Sequence, residues 1–143
     1  MTLQPCIVDT NVIVSGLIVS DSKSPPALIL EAMLDGRLLF LMSDALLNEY
    51  SSVLRRPGLV RLHGLTDDEI DRLLTDLVAN AMWPESDPSG EISVQGDDHL
   101  WALLASHPEA QLVTGDRLLV ENPLSGASVT SPRRFVDAFL SPK

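Results

Sequence analysis

At 143 residues the chain suits one domain built around a single sizeable core. Its net charge of -10 makes it a poor general binder of polyphosphate, because nucleic-acid affinity comes largely from Lys and Arg displacing counterions. Its single cysteine, Cys6, excludes an internal disulfide and a thiolate zinc cluster, and no apolar run approaches the roughly 20 residues of a membrane helix.

Two explanations of the acidity compete: either the partner is not a nucleic acid, or the acids are concentrated in a cation-binding pocket while a few arginines handle phosphate. Residues 1–5 lack the charged-then-apolar build of a signal peptide, so the expected address is the cytoplasm, with no membrane partner.

In chain order, Cys6-Ile7-Val8 is a short apolar run of the kind that forms a buried strand, broken at once by Asp9-Thr10-Asn11. A buried, unpaired carboxylate is costly. Asp9 therefore either caps the next helix or meets a cation. Cys6 on this strand reads as a small buried hydrophobe. Residues 12–19 are apolar and helical, or a helix with a loop. Ser24-Pro25-Pro26 starts a second helix over 27–34, stopped by Asp35-Gly36. Residues 38–42 form a second buried strand. Ser43 caps a helix to about Arg55, ended by Pro57-Gly58, and Glu49 lies beside its apolar stripe.

Thr66-Asp67-Asp68-Glu69 is a capping box that opens a helix with core positions Ile70, Leu73, Leu74, Leu77, Val78 and Ala81. Residues 85–96 read as an exposed loop. Asp97-Asp98 opens a helix over 99–106, residues 110–114 form a strand followed by Gly115-Asp116, residues 127–130 a last short strand, and Ser131-Pro132 starts a closing helix through Leu140.

Strands separated by helices of this length predict an α/β fold, a three-layer α/β/α sandwich with a mostly parallel central sheet. The strand carrying Asp9 is expected to be central. Ligands of such sheets bind outside the carboxyl ends of the strands, so Asp9 and Asp116 should face one crevice. Asp98 at a helix start and Glu49 on a helix flank would complete a ring of four. Asp97 is the alternative to Asp98, which is preferred because Ala102 falls four residues later on the packing face. Four converging carboxylates stay ionised only beside a cation. An all-oxygen set favours Mg²⁺ or Mn²⁺ over zinc, and the chemistry suggested is metal-dependent phosphodiester cleavage.

The order and spacing of three motifs carry a resemblance that spans nearly the whole chain. Val8-Asp9-Thr10-Asn11-Val12-Ile13 resembles the opening motif of PIN-domain nucleases, Asp98-His99-Leu100-Trp101-Ala102 their central acidic helix start, and Val113-Thr114-Gly115-Asp116 their late acidic turn. The resemblance implies that Asp9, Glu49, Asp98 and Asp116 bind the metal and act in catalysis, with Asn11 and Thr114 supporting them. It also implies a VapC-type ribonuclease toxin of a toxin-antitoxin pair, magnesium-dependent and homodimeric, with RNA as substrate and an antitoxin protein as partner. Relatives often carry a further acid two residues after the last aspartate, where this chain has Leu118.

An aspartyl-phosphate chemistry is disfavoured because the only lysines are Lys23 and Lys143, and no glycine-rich phosphate loop with a lysine is present. A non-catalytic module on the same fold is the remaining rival, which an intact set of acids argues against. Arg55-Arg56 and Arg133-Arg134 are candidates for RNA contact, against solvation or helix-dipole pairing. His63, His99 and His107 are expected at the surface or at helix ends. The apolar helix over 27–34 exceeds what a small core needs, which also points to self-association.

Overall fold

The computed structural model describes residues 4–84, 98–122 and 128–140, Asp98 through its backbone alone. β1 (Cys6–Val8) has no accessible surface, in keeping with an unbroken apolar triplet in a strand covered on both faces. It pairs in parallel with β2 (Gln111–Val113), and β3 (Val129–Thr130) pairs in parallel with β2. Helices flank this sheet: α1 (Thr10–Ile18), α2 (Pro25–Leu34), α3 (Asp44–Leu54), α4 (Pro57–His63), α5 (Asp67–Asn80), α6 (Asp98–Ser106), α7 (Arg117–Glu121) and α8 (Pro132–Phe135), the last running into a π-helical turn, Val136–Leu140. This is the parallel α/β sandwich that the alternation of elements predicts. Among the described residues no helix is long and apolar enough to cross a membrane.

Residues 38–42 contribute less strand than expected. They make only isolated parallel bridges, Phe40 with Cys6 and Leu41 with Met82. Ser43 ends the extended run at once, because its hydroxyl accepts from Leu46 N at 3.1 Å and starts α3. β1 is nonetheless bonded on both sides: Cys6 N donates to Leu39 O at 3.0 Å, Leu41 N to Cys6 O at 2.8 Å, and β2 lies on the other edge. The Asp9 strand is thus interior, while β2 is the middle one of the three regular strands.

Two helices go beyond the sequence expectation. Pro57-Gly58 does end α3, but Pro57 also opens α4, since a first-turn residue needs no N–H. Gly64, at φ 71°, closes α4 in a conformation that few other residues adopt. α7 is too short for its periodicity to show in sequence. The capping box is formed as read, with Thr66 and Glu69 each accepting from the other's amide.

The core includes Ile7, Ile13, Phe40, Tyr50, Leu54, Ile70 and Leu77, all without accessible surface. Ile29, Leu30, Ala32 and Met33 of α2 are buried within the chain itself. The apolar excess of that helix is therefore used internally and no longer argues for self-association. α1 meets α2 at Gly16, where a Cβ would stand 2.8 Å from Pro26 O. The loop expected over 85–96, the alternative ligand Asp97 and the first residue of the expected 127–130 strand lie outside the described residues.

Candidate active site

Register alone brings the first two acids together. Val8 stands opposite Val113, and the ladder runs one step further as Asp9 N donates to Val113 O at 2.9 Å. The next residues on the two strands, Asp9 and Thr114, therefore leave the sheet side by side at its carboxyl end. Thr114 Oγ1 donates to Asp9 Oδ2 at 2.7 Å and accepts from Asp116 N at 3.0 Å. Asn11 ties the same two turns from above: its amide nitrogen lies 3.3 Å from both Asp9 Oδ2 and Thr114 Oγ1, and its oxygen accepts from Gly115 N at 2.9 Å. Gly115 suits this contact, since a Cβ there would stand 3.3 Å from Asn11 Oδ1.

Asp9 satisfies both explanations offered for it. Its Oδ1 accepts from Thr10 N at 2.8 Å at the start of α1, and its carboxylate, 6% exposed, still lines a pocket. Asp116 likewise caps α7 through Leu118 N while lining the same pocket.

Glu49 arrives from α3. That helix is pinned to the strand end by Tyr50, whose buried hydroxyl donates to Val8 O. Burial, with the nearby charges of Asp9 and Glu49 adding, pushes the Tyr50 phenol well above its ordinary value, so it stays a neutral donor. Burial also pushes the Cys6 thiol up to about 12, which leaves it an inert core residue.

Glu49 itself is held at both oxygens. Thr10 Oγ1 donates to Oε2, and His99 Nε2 lies 3.2 Å from Oε1. His99 corrects the sequence expectation: it is at a helix end, in the first turn of α6, but only 9% exposed and aimed at the site. Neither Thr10 nor His99 was assigned to the site from sequence. Their adjacency to Asp9 and Asp98 was the available signal, but contact with Glu49 exists only across the folded chain.

Asp9, Glu49 and Asp116 thus line one pocket of about 440 Å³, together with Asn11, Thr10 and Arg56. Asp98 opens α6, one residue before His99; its side chain lies outside the described atoms. Among the described residues the pocket lining offers oxygen donors and no thiolate or imidazole, a donor set that fits Mg²⁺ or Mn²⁺. Among the described residues no three acids or histidines are drawn tightly enough together to enclose an ion.

The four arginines foreseen as RNA contacts separate. Arg56 lines the acidic pocket. Arg55 turns away and bonds Asp67, at 2.7 Å, and Asp71 of α5. Arg134 lines a neighbouring cavity, and Arg133 is exposed on α8.

A family model described as PIN domain matches residues 5–118, a span that contains Asp9, Glu49, Asp98 and Asp116. No match is found among curated proteins or among solved structures. A match over most of the chain, joined to acids gathered at the carboxyl ends of a parallel sheet, establishes that this chain belongs to the PIN domain family.

Proposed function

We propose that the protein is a Mg²⁺- or Mn²⁺-dependent endoribonuclease and the toxin component of a type II toxin-antitoxin pair. PIN domains are generally nuclease folds that bind divalent metals. The observation that carries the proposal is the meeting of Asp9, Glu49 and Asp116, far apart in sequence, in one oxygen-lined pocket. Asp98, from the start of α6, is proposed as the fourth acid. The toxin role, the homodimer and the antitoxin partner rest on the motif resemblance.

Bound among these acids, a divalent ion would polarise the scissile phosphate and offset charge developing in the transition state. The chain's own residues supply positioning. Thr114 and Asn11 fix the Asp9 carboxylate, Thr10 and His99 fix Glu49, and the Thr114 hydroxyl holds the Asp116 amide. Arg56, which lines the pocket, would hold a substrate phosphate there, while Arg133 and Arg134 lie on α8. Such preorganisation keeps charged groups oriented without reorganising during the reaction.

The test is a melting curve of the wild type and Asp9→Asn with and without Mn²⁺, beside a single-stranded RNA cleavage assay. Ion binding to the folded state should raise the wild-type melting temperature by mass action; at a hundredfold excess over Kd the gain is about 2.7 kcal/mol. Asp9→Asn should lose most of that shift and nearly all cleavage. A wild type with neither shift nor cleavage under any divalent ion would replace the nuclease by a non-catalytic binding module. A neighbouring gene for a DNA-binding antitoxin separates the toxin from a housekeeping RNA-processing nuclease.

A further inference from the structure

A second cavity, of about 510 Å³, adjoins the acidic pocket across the turn at Thr114 and Gly115, both of which line it. Its far wall comes from the start of α8, with Ser131 and Arg134, and its near wall from α7, with Arg117 and Glu121. Arg117 directly follows Asp116, so one turn sends an acid into one pocket and a cation into the other.

Both arginines are exposed, and neither makes an ion pair or a side-chain hydrogen bond with another described residue. This contrasts with Arg37 and Arg55, which are paired with aspartates. Among the described residues lining this cavity, two guanidinium groups stand against one carboxylate, in a chain whose net charge is -10. Guanidinium donors in an open concavity match phosphate oxygens, which they bind with paired hydrogen bonds.

We infer that this cavity is a subsite for the RNA backbone, in which Arg117 and Arg134 grip a phosphate neighbouring the one that sits at the acids. The inference rests on the ribonuclease reading for its ligand. It explains how so acidic a protein holds a polyanion: acids outnumber cations on one side of the turn and cations outnumber acids on the other. A strand passing over Gly115 meets both.

The experiment measures binding of a fluorescent single-stranded 12-mer RNA by anisotropy across a salt series, on the Asp9→Asn background so that cleavage does not deplete the probe. Arg134→Ala, Arg117→Ala and the double variant are compared with Arg72→Ala, a change at an exposed arginine of α5. Each of the first two should weaken binding roughly tenfold. The double variant should also flatten the slope of log K against log salt by about 0.7, which is one phosphate contact on a single strand. Arg134→Ala is the decisive single variant, being on a separate element from the acids. In Asp9→Asn with both arginines intact, modification of arginines by phenylglyoxal mapped by mass spectrometry should be blocked at Arg117 and Arg134 by RNA, but not by inorganic phosphate at the same phosphate concentration.

A double variant with the affinity and salt slope of Arg72→Ala would overturn the inference. So would equal protection by inorganic phosphate, which would mark a free-anion pocket. Because the readout is binding, loss of this result and loss of cleavage activity are separate outcomes.

Discussion

His99 and Glu49, fifty residues apart, face each other with Nε2 3.2 Å from Oε1, and His99 is 9% exposed. His99 Nδ1 is buried without a hydrogen-bond partner among the described residues. A proton on Nδ1 would leave a buried N–H unsatisfied and set the Nε2 lone pair against a carboxylate, so Nε2–H is the tautomer that fits. Glu49, gripped on its other oxygen by Thr10, is then held in one orientation.

This relationship makes His99 a positioning residue. His99→Leu should weaken Mn²⁺ binding and cleavage by roughly 10- to 100-fold, the usual effect of removing a partner of a metal-site carboxylate. His99→Gln can still donate and should recover part of both. Titration calorimetry with Mn²⁺ reads the effect independently of turnover. Equal Mn²⁺ affinity in wild type and His99→Leu would show that the contact is merely structural.

Thr114 Oγ1 touches both Asp9 and the amide of Asp116. Thr114→Val keeps the shape and removes the hydroxyl, so Asp9 Oδ2 loses its 2.7 Å donor and the partly buried Asp116 N its acceptor. The expected loss is about 1–3 kcal/mol in chemical denaturation, with a larger proportional fall in kcat. Thr114→Ser should restore kcat more than stability, since it returns the hydroxyl without the methyl.

Gly16 sets the approach of α1 to α2. In an exposed helix, Gly→Ala would stabilise by about 1 kcal/mol. Here the new methyl would meet a backbone carbonyl oxygen at 2.8 Å, which cannot rotate aside. Overpacking of this kind costs about 1–3 kcal/mol, so Gly16→Ala should lower the melting temperature. An increase would mean that the two helices separate freely.

The capping box couples α5 to pH. Hydrogen bonds from the Thr66 amide and with its side chain hold Glu69 below the ordinary glutamate value. A depressed carboxylate stabilises the fold above its unfolded pKa, and that contribution fades as pH falls through the folded value. Glu69→Gln should therefore destabilise the protein near neutrality and converge with wild type in acid. Thr66→Ala should cost about 1 kcal/mol at neutral pH. Urea melts of both at several pH values check this; a constant difference between Glu69→Gln and wild type would remove the charge from the explanation.

Much of this architecture is legible from local chemistry. The buried triplet Cys6–Val8, the Ser24, Ser43 and Thr66 caps and the strand at Gln111–Val113 depend on residue type and spacing within a few positions, which the sequence displays directly. The meeting of Asp9 with Asp116 was also readable, because parallel strands deliver their carboxyl ends to one edge. Three things required the folded chain. Residues 38–42 make single bridges to two separate segments, at Cys6 and at Met82, and the Ser43 cap then turns the chain into α3. α4 and α7 are too short to leave a periodic signal. The grip on Glu49 depends on the side chains of Thr10 and His99, and the opposition of Arg117 to Arg134 depends on α7 and β3–α8 converging. Contacts between distant segments are set by packing geometry, which no local pattern encodes, and here that geometry selected which polar residues of the sequence share a pocket.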